Sequence, residues 1–489
     1  MYRTRPLFAG FALLFASSPA WSQQVAPVAP PPAPAAEPAP MPAPVPPAPV
    51  TLAETPAPVA MAAELPPPPP PPPPAPNKLI SAVIYGFTEL DMIHDSTQSY
   101  NDNAGNALIA RPGTQGAKHG RMTFGVRNSR FGFKMKGPES ESIKTSGNFE
   151  VDLTGNQPSN PPATTESAFF TNPTLRVRHA YLKLETPVVD VLAGQYWNLF
   201  GWQSYFHPNT VQIQGVPGEV FGRTPQLRIG HTFKSSAVNV ELAVAAVRPT
   251  QRDADLPDGQ GGLRILINDW KGYRIAGSTG TSVDALGIGV SGTYRHFRVN
   301  NFAAKPDSVK ERDGFGLSLD ALIPVIPATK ENHDNALTLT GSFVNGRGIN
   351  DQYSGLTGGV SNAALPPDAN GAAQTYTANI DPGLAVYDGG GNLHTIKWQS
   401  YIIGAQYFLP FGGLSISGNV SHMHSKNIAN FGAAPASVFR NSTWYDGNLF
   451  WDVNGAARFG FEVARSQQEY ADGVKANNTR VQLSSFYVF

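Results

Sequence analysis

The 489-residue chain contains no cysteine. That excludes a disulfide framework, a thiolate metal site and a cysteine nucleophile. Neither sign of charge is in excess, with 36 Lys+Arg against 36 Asp+Glu, so the overall basic signature of nucleic-acid binding is missing. Charge is also scarce, at 15% of residues against roughly 25% in ordinary soluble domains. Beyond residue 22 no run approaches about 18 consecutive apolar residues, so no transmembrane helix is expected. No G-x-S-x-G, H-E-x-x-H or Walker-type run occurs, and no catalytic residue, cofactor or metal site is expected. His422 and His424 sit two apart, as a metal pair could, but read as rim residues. Calcium held by loop acids such as Asp381 and Asp388 has no further support in the sequence.

Proline is concentrated rather than rare. Of the 46 prolines, 24 lie in residues 23–77, and Pro66 to Pro74 is an unbroken run. Such a segment lacks the N–H donors of a helix or sheet. It reads as a disordered polyproline II tether, reaching on the order of 170 Å if extended at ~3.1 Å per residue. Before it, residues 1–22 have the layout of a secretory signal: Arg3 and Arg5, the short apolar run Leu7 to Ala16, then Ala20-Trp21-Ser22. The expected division is signal peptide 1–22, Pro/Ala-rich periplasmic tether 23–77, and a third unit, 78–489. The tether is either a plain spacer or an arm that touches peptidoglycan.

The third unit alternates apolar and polar residues in segments of about ten, separated by Gly, Asn, Asp and Pro clusters. In 286–295, Leu286, Ile288 and Val290 oppose Gly287, Gly289, Ser291 and Thr293. Phe315, Leu317 and Leu319 oppose Gly316, Ser318 and Asp320 in the same way, as do Leu414, Ile416 and Val420 against Ser415, Ser417 and Asn419. About sixteen such segments are joined alternately by tight turns, such as 409–413, and long loops, such as 348–393. This predicts an all-β fold: a 16-stranded antiparallel transmembrane β-barrel with short periplasmic turns and long extracellular loops. Closure is required because hydrocarbon leaves no partner for a free strand edge. Tyr401, Tyr407, Phe408, Trp444, Trp451, Phe459 and Phe461 near segment ends suggest interfacial girdles. At the C-terminus, Val481, Leu483, Tyr487 and the terminal Phe489 share one face and read as a barrel-assembly signal, which implies the barrel-assembly machinery as a partner.

Short motifs carry a family resemblance. Ser129-Arg130-Phe131-Gly132-Phe133-Lys134, Ile84-Tyr85-Gly86, Arg178-His179-Ala180-Tyr181-Leu182-Lys183-Leu184 and Gly404-Ala405-Gln406-Tyr407-Phe408-Leu409 resemble strands of the gram-negative trimeric outer-membrane porins. Ala193-Gly194-Gln195-Tyr196-Trp197 and Arg223-Thr224-Pro225-Gln226-Leu227-Arg228 are most similar to the DcaP-like branch. Phe87 stands where several general porins carry a first-strand lysine. The resemblance implies a homotrimer in the bacterial outer membrane, with the third loop folded into each lumen and small hydrophilic solutes or ions as cargo.

Arginine facing lipid at mid-bilayer costs about 2–4 kcal/mol, so strand arginines should face the lumen. Alternation puts Arg130, Arg176, Arg178, Arg228, Arg264 and Arg458 there, with the acids Glu89, Asp91, Glu150, Asp152, Glu241, Asp320 and Glu462. The expected third loop, 198–223, has one acid, Glu219, beside His207 and the aromatics Phe200, Trp202, Tyr205, Phe206 and Phe221. An eyelet rich in arginine and poor in acid would favour small anions, including carboxylates, which arginine grips bidentately. Alternatively, the arginines pair with the lumen acids and rigidify the barrel. On function, a diffusion channel competes with a structural anchor that ties outer-membrane lipid to the periplasm through the proline arm. No Ser–His or paired-acid cluster supports a rim enzyme.

Overall fold

The computed structural model describes residues 80–489 apart from 139, 141, 156–172, 204, 213–214, 252–253, 277–279, 305, 330, 354–369, 371–382 and 432–436. The expected signal peptide and tether, and Asp381, lie outside the described residues. Nearly all of the described regular secondary structure is strand. In chain order these are β1 (Ser81–Asp95), β2 (Arg121–Gly125), β3 (Arg130–Lys136), β4 (Lys144–Gly155), β5 (Thr174–Glu185), β6 (Asp190–Trp197), β7 (Arg223–Lys234), β8 (Val238–Val247), β9 (Asp258–Ala276) and β10 (Gly280–Asn300). There follow β11 (Val309–Ile326), β12 (Leu337–Arg347), the short β13 (Ala385–Tyr387) and β14 (Leu393–Thr395), then β15 (Lys397–Phe408), β16 (Leu414–Ser425), β17 (Phe439–Asp452), β18 (Ala457–Tyr470) and β19 (Lys475–Val488).

Leaving aside the separate β13–β14 hairpin, each strand from β3 onward runs antiparallel to its neighbour in the barrel, and β19 closes on β1 in a register from Phe87↔Val488 to Asp95↔Arg480. β2 and β3 both pair with β1 and form two halves of one position, so the closed cycle has sixteen. The halves are interrupted where Asn128 turns inward and donates to Asp91 (2.8 Å). The last residue completes the seam: Phe489 N donates to Gly86 O (3.0 Å) and Gly86 N to Phe489 O (2.9 Å). With both edges paired, the barrel meets the requirement of a hydrocarbon solvent.

The barrel is apolar outside. Ile288, Leu317, Leu319, Ile403, Ile416, Val420, Phe461 and Leu483 are all exposed, on the face assigned to lipid by alternation. Tyr401, Trp451, Phe459 and Phe461 are exposed outward as girdle residues should be, but Phe408 and Trp444 are buried inward. The reason is parity: Phe408 follows Gln406 on the lumen phase of β15, and Trp444 lies between outward Thr443 and Tyr445. The segment 348–393 is also more than a loop. It carries the hairpin β13–β14, whose Tyr387 and Leu393 join Phe297 and Val299 in a small apolar cluster.

Candidate functional site

The segment between β6 and β7 enters the lumen and is seated there by glycines in the wall. An added Cβ at Gly262 would lie 2.8 Å from Trp202, at Gly289 2.8 Å from both Trp202 and Phe206, and at Gly316 2.7 Å from Phe200. Side chains at those places would exclude the loop. Polar wall groups then take up its backbone: Gly201 N donates to Ser291 Oγ (2.7 Å) and Leu199 N to Gln260 Oε1 (2.9 Å). Farther along, Val211 N and Gln212 N both donate to Glu462 Oε2 (3.0 and 3.1 Å), and Asn419 Nδ2 donates to Asn209 O (3.0 Å). Buried backbone donors need such partners. Within the loop, Glu219 is buried, accepts from Val216 N (3.3 Å) and faces His207 Nδ1. Burial pushes its carboxyl up, against the opposing pull of His207.

The loop packs beside an arginine-bearing wall. Arg178 Nε donates to Glu150 Oε1 (2.6 Å) and its Nη1 to Asp152 Oδ2 (3.1 Å). Arg176 Nη2 reaches Asp152 Oδ2 at 2.7 Å, and Arg130 Nε lies 3.7 Å from Glu150. Arg223 is stacked on Trp197 (4.6 Å) and Phe221 (5.3 Å). Among the described residues Arg223 has no carboxylate in ion-pair contact, and its Nη1 is buried without a partner. Trp197 is 4.7 Å from Phe221 between ring centres, and His207 is 4.9 Å from Phe221. Towards the short-turn end, Arg228 lies over Tyr196 (5.4 Å) and Arg264 over Tyr205 (3.2 Å). Both line a cavity of about 720 Å³, with Lys144, Lys183, Lys234 and Glu241 at its walls. The result is a stair of guanidinium groups on aromatic faces, which keeps the cations in place while leaving part of their N–H fork free.

The other expected site residues are more scattered. Arg264 pairs with Glu241, so it is a neutralised step of the stair. Arg458 sits near the short-turn rim beside Asp452, away from the constriction. Glu89 and Asp91 are buried in the β1 wall, where Asp91 accepts from Asn128 (2.8 Å) and Gln482 (3.0 Å). Phe87 packs edge-on to Phe486 (6.2 Å) beneath Arg130, 5.2 Å away. His422 and His424 stand 5.8 Å apart on β16, beside Tyr401. The Asp388 carboxylate accepts from Gly390 N (2.9 Å), Asn392 N (2.9 Å) and His394 Nε2 (2.9 Å), a turn-closing role. These bonds hold its carboxyl well below the usual carboxylate range.

Sequence reasoning passed over Arg223, Arg295 and Arg480, although parity alone could have found Arg295, which continues the lumen phase of Ser291 and Thr293. Arg223 had a weaker signal, as the first residue after the loop. The anchoring role of Glu462 has no local signal, because its partners are some 250 residues away in the chain.

No protein-family model and no curated protein matches the chain. Among solved structures, the outer membrane channel DcaP of Acinetobacter baumannii is similar in fold: TM-score 0.60 at 16% identity, over 84% of this chain and 98% of that one. OmpT of Vibrio cholerae in its trimer form aligns at a TM-score of 0.44 and 9% identity over 84% of this chain and all of that one. OprB of Pseudomonas putida aligns at 0.42 and 11% identity, over 84% and 95%. The DcaP likeness shows that the barrel fold is shared.

Proposed function

We propose that the protein is an outer-membrane porin: a water-filled channel for passive diffusion of small hydrophilic solutes, biased towards small anions and carboxylates. One observation carries the bias. Among the described residues, Arg130, Arg176 and Arg178 form ion pairs with Glu150 and Asp152 alone, and Arg223 forms none and has a buried N–H without a partner. A fixed excess of positive charge where the path narrows raises the local anion concentration and opposes cations. The aromatic faces behind the guanidinium groups supply a low-dielectric wall that lengthens the reach of that field. No bond is made or broken in such a protein.

The reversal potential of a planar bilayer in a KCl gradient tests this reading. Anion preference is expected. Cation preference sinks the bias, and absence of conductance sinks the channel. Anchoring is the second reading, favoured by the dense packing of loops against the β15–β19 wall. On that reading, deleting residues 23–77 weakens attachment of the envelope and the barrel conducts nothing. In either case we place the protein in the outer-membrane lipid as a homotrimer, with Val481, Leu483, Tyr487 and Phe489 presented to the assembly machinery and the proline arm in the periplasm.

A further inference from the structure

The constriction is fixed by contacts that reach beyond the loop that forms it. Arg295 of β10 is almost wholly buried, at 1% exposure. Its Nε donates to Asp258 Oδ2 (2.8 Å), Nη1 to Gly348 O (2.9 Å), and Nη2 to Thr250 Oγ1 (2.8 Å) and Asp351 Oδ2 (3.0 Å); Nη1 also contacts Asp351 Oδ1. The fork therefore clamps Asp351 bidentately. Asp351 lies in a single 3-10 turn, Asn350–Gln352, just beyond β12. That turn touches both ends of the lumen loop. Phe221 N donates to Gln352 O (2.8 Å), Asn198 Nδ2 donates to Gln352 Oε1 (3.0 Å), and Val220 and Tyr353 form an isolated antiparallel bridge. Phe221 is the ring on which Arg223 stacks.

We infer that the turn Asn350–Tyr353 is a brace, and that the Arg295–Asp351 pair is a positioning pair that sets the ion selectivity of the constriction from beyond it. The inference rests on the channel reading for its consequence, but not for its mechanics. The physical reason lies in how loops are held. A lumen loop ordered only by its own turns would spread over many conformations at the cost of little contact energy. Here its descending limb is fixed to a turn, and the turn is fixed by a charged, desolvated fork of defined geometry. Removing the Asp351 carboxylate leaves Arg295 paired with Asp258 and strips the turn of its charge-assisted fork, so the turn should detach rather than relax in place. Phe221 and Arg223 would then sample several positions. The field at the narrowest point would be averaged over them.

The full-length mature protein carrying Asp351→Asn tests this. Amide hydrogen exchange should rise in 198–222 by at least about tenfold, as expected for loss of a buried ion pair, while the wall strands stay protected. The reversal potential in a KCl gradient should move towards zero, and Asp351→Glu should restore it in part. Unchanged exchange in a folded Asp351→Asn barrel overturns the brace. Faster exchange with an unmoved potential overturns the selectivity role. If Asp351→Asn does not fold, Gln352→Ala removes the acceptor of Asn198 and carries the same expectations and the same overturning results. If the wild type passes no current, the channel reading fails, and exchange in 198–222 alone decides the brace.

Discussion

The β15–β19 wall and the short-turn half of the β3–β9 wall are built by the same rule and face the same lumen, yet one is dry and the other open. On the first, Trp398, Met423, Trp444 and Phe439 are buried, at 0–1% exposure, under loop residues such as Tyr100, Ile109, Val216, Tyr353 and Ile428. Several of its polar residues hold loop backbone, as Glu462 holds Val211 and Gln212. On the second, Tyr181, Tyr196, Arg228 and Arg264 line open space. The lumen of one barrel thus combines a protein core and an open cavity. Stability is expected to reside in the first and selectivity in the second.

The sharpest way to break this comparison is Trp444→Ala. It removes one of the two buried tryptophans of the dry wall and should cost ~3–5 kcal/mol, read as a lower unfolding temperature in detergent. An unfolding temperature equal to wild type would mean the dry wall is no core. Next comes Gly289→Ala. Its Cβ would meet two aromatic rings at 2.8 Å, and overpacking of that kind costs about 1–3 kcal/mol. Single-channel recordings should show added current noise as the lumen loop shifts. A quiet, wild-type trace would show that the glycine seat does not locate the loop. Arg223→Gln should change stability by about 1 kcal/mol or less, yet reduce anion preference several-fold. A reversal potential that stays put removes Arg223 from the eyelet.

The smallest effect expected is on pH. Arg295 holds the Asp351 carboxyl below its ordinary 3.8 despite burial, which acts the other way. Its contribution is present above 3.8 and lost as pH falls through the depressed value. Glu219 is raised above its ordinary 4.5, chiefly by burial, so its contribution is present below 4.5 and lost as pH rises through the raised value. His207 Nδ1 faces the Glu219 carboxylate, and Asp320 lines the same small cavity. Exchange protection of 198–222 should therefore peak in mildly acidic buffer and fall on both sides. Protection that climbs steadily from pH 3 to pH 8 (about five decades in proton activity) contradicts the assignment.

Much of this was legible in the residues. The period of two told which side of Ile288 faces lipid and which side of Gly289 faces the lumen, and the same parity placed Arg130, Arg176, Arg178 and Arg228 inside. It misplaced Trp444 and Phe408 only where aromatic character was read without parity. The glycines of β9 and β10 were legible as small lumen residues, but their use as sockets was not. A glycine says that something comes close and not what it is.

By itself, then, the sequence determined a closed barrel with an apolar exterior and, wherever strict alternation holds, the face on which a strand residue lies. These follow from alternation, which is a local property of a pleated backbone. Tertiary structure alone decided which half of the lumen fills with loops, which arginines keep a free N–H, and that Arg295 and Asp351 meet beside Phe221. Such contacts join residues 56 to about 250 positions apart. No local pattern encodes them, because they depend on where the loops come to rest once the wall has closed.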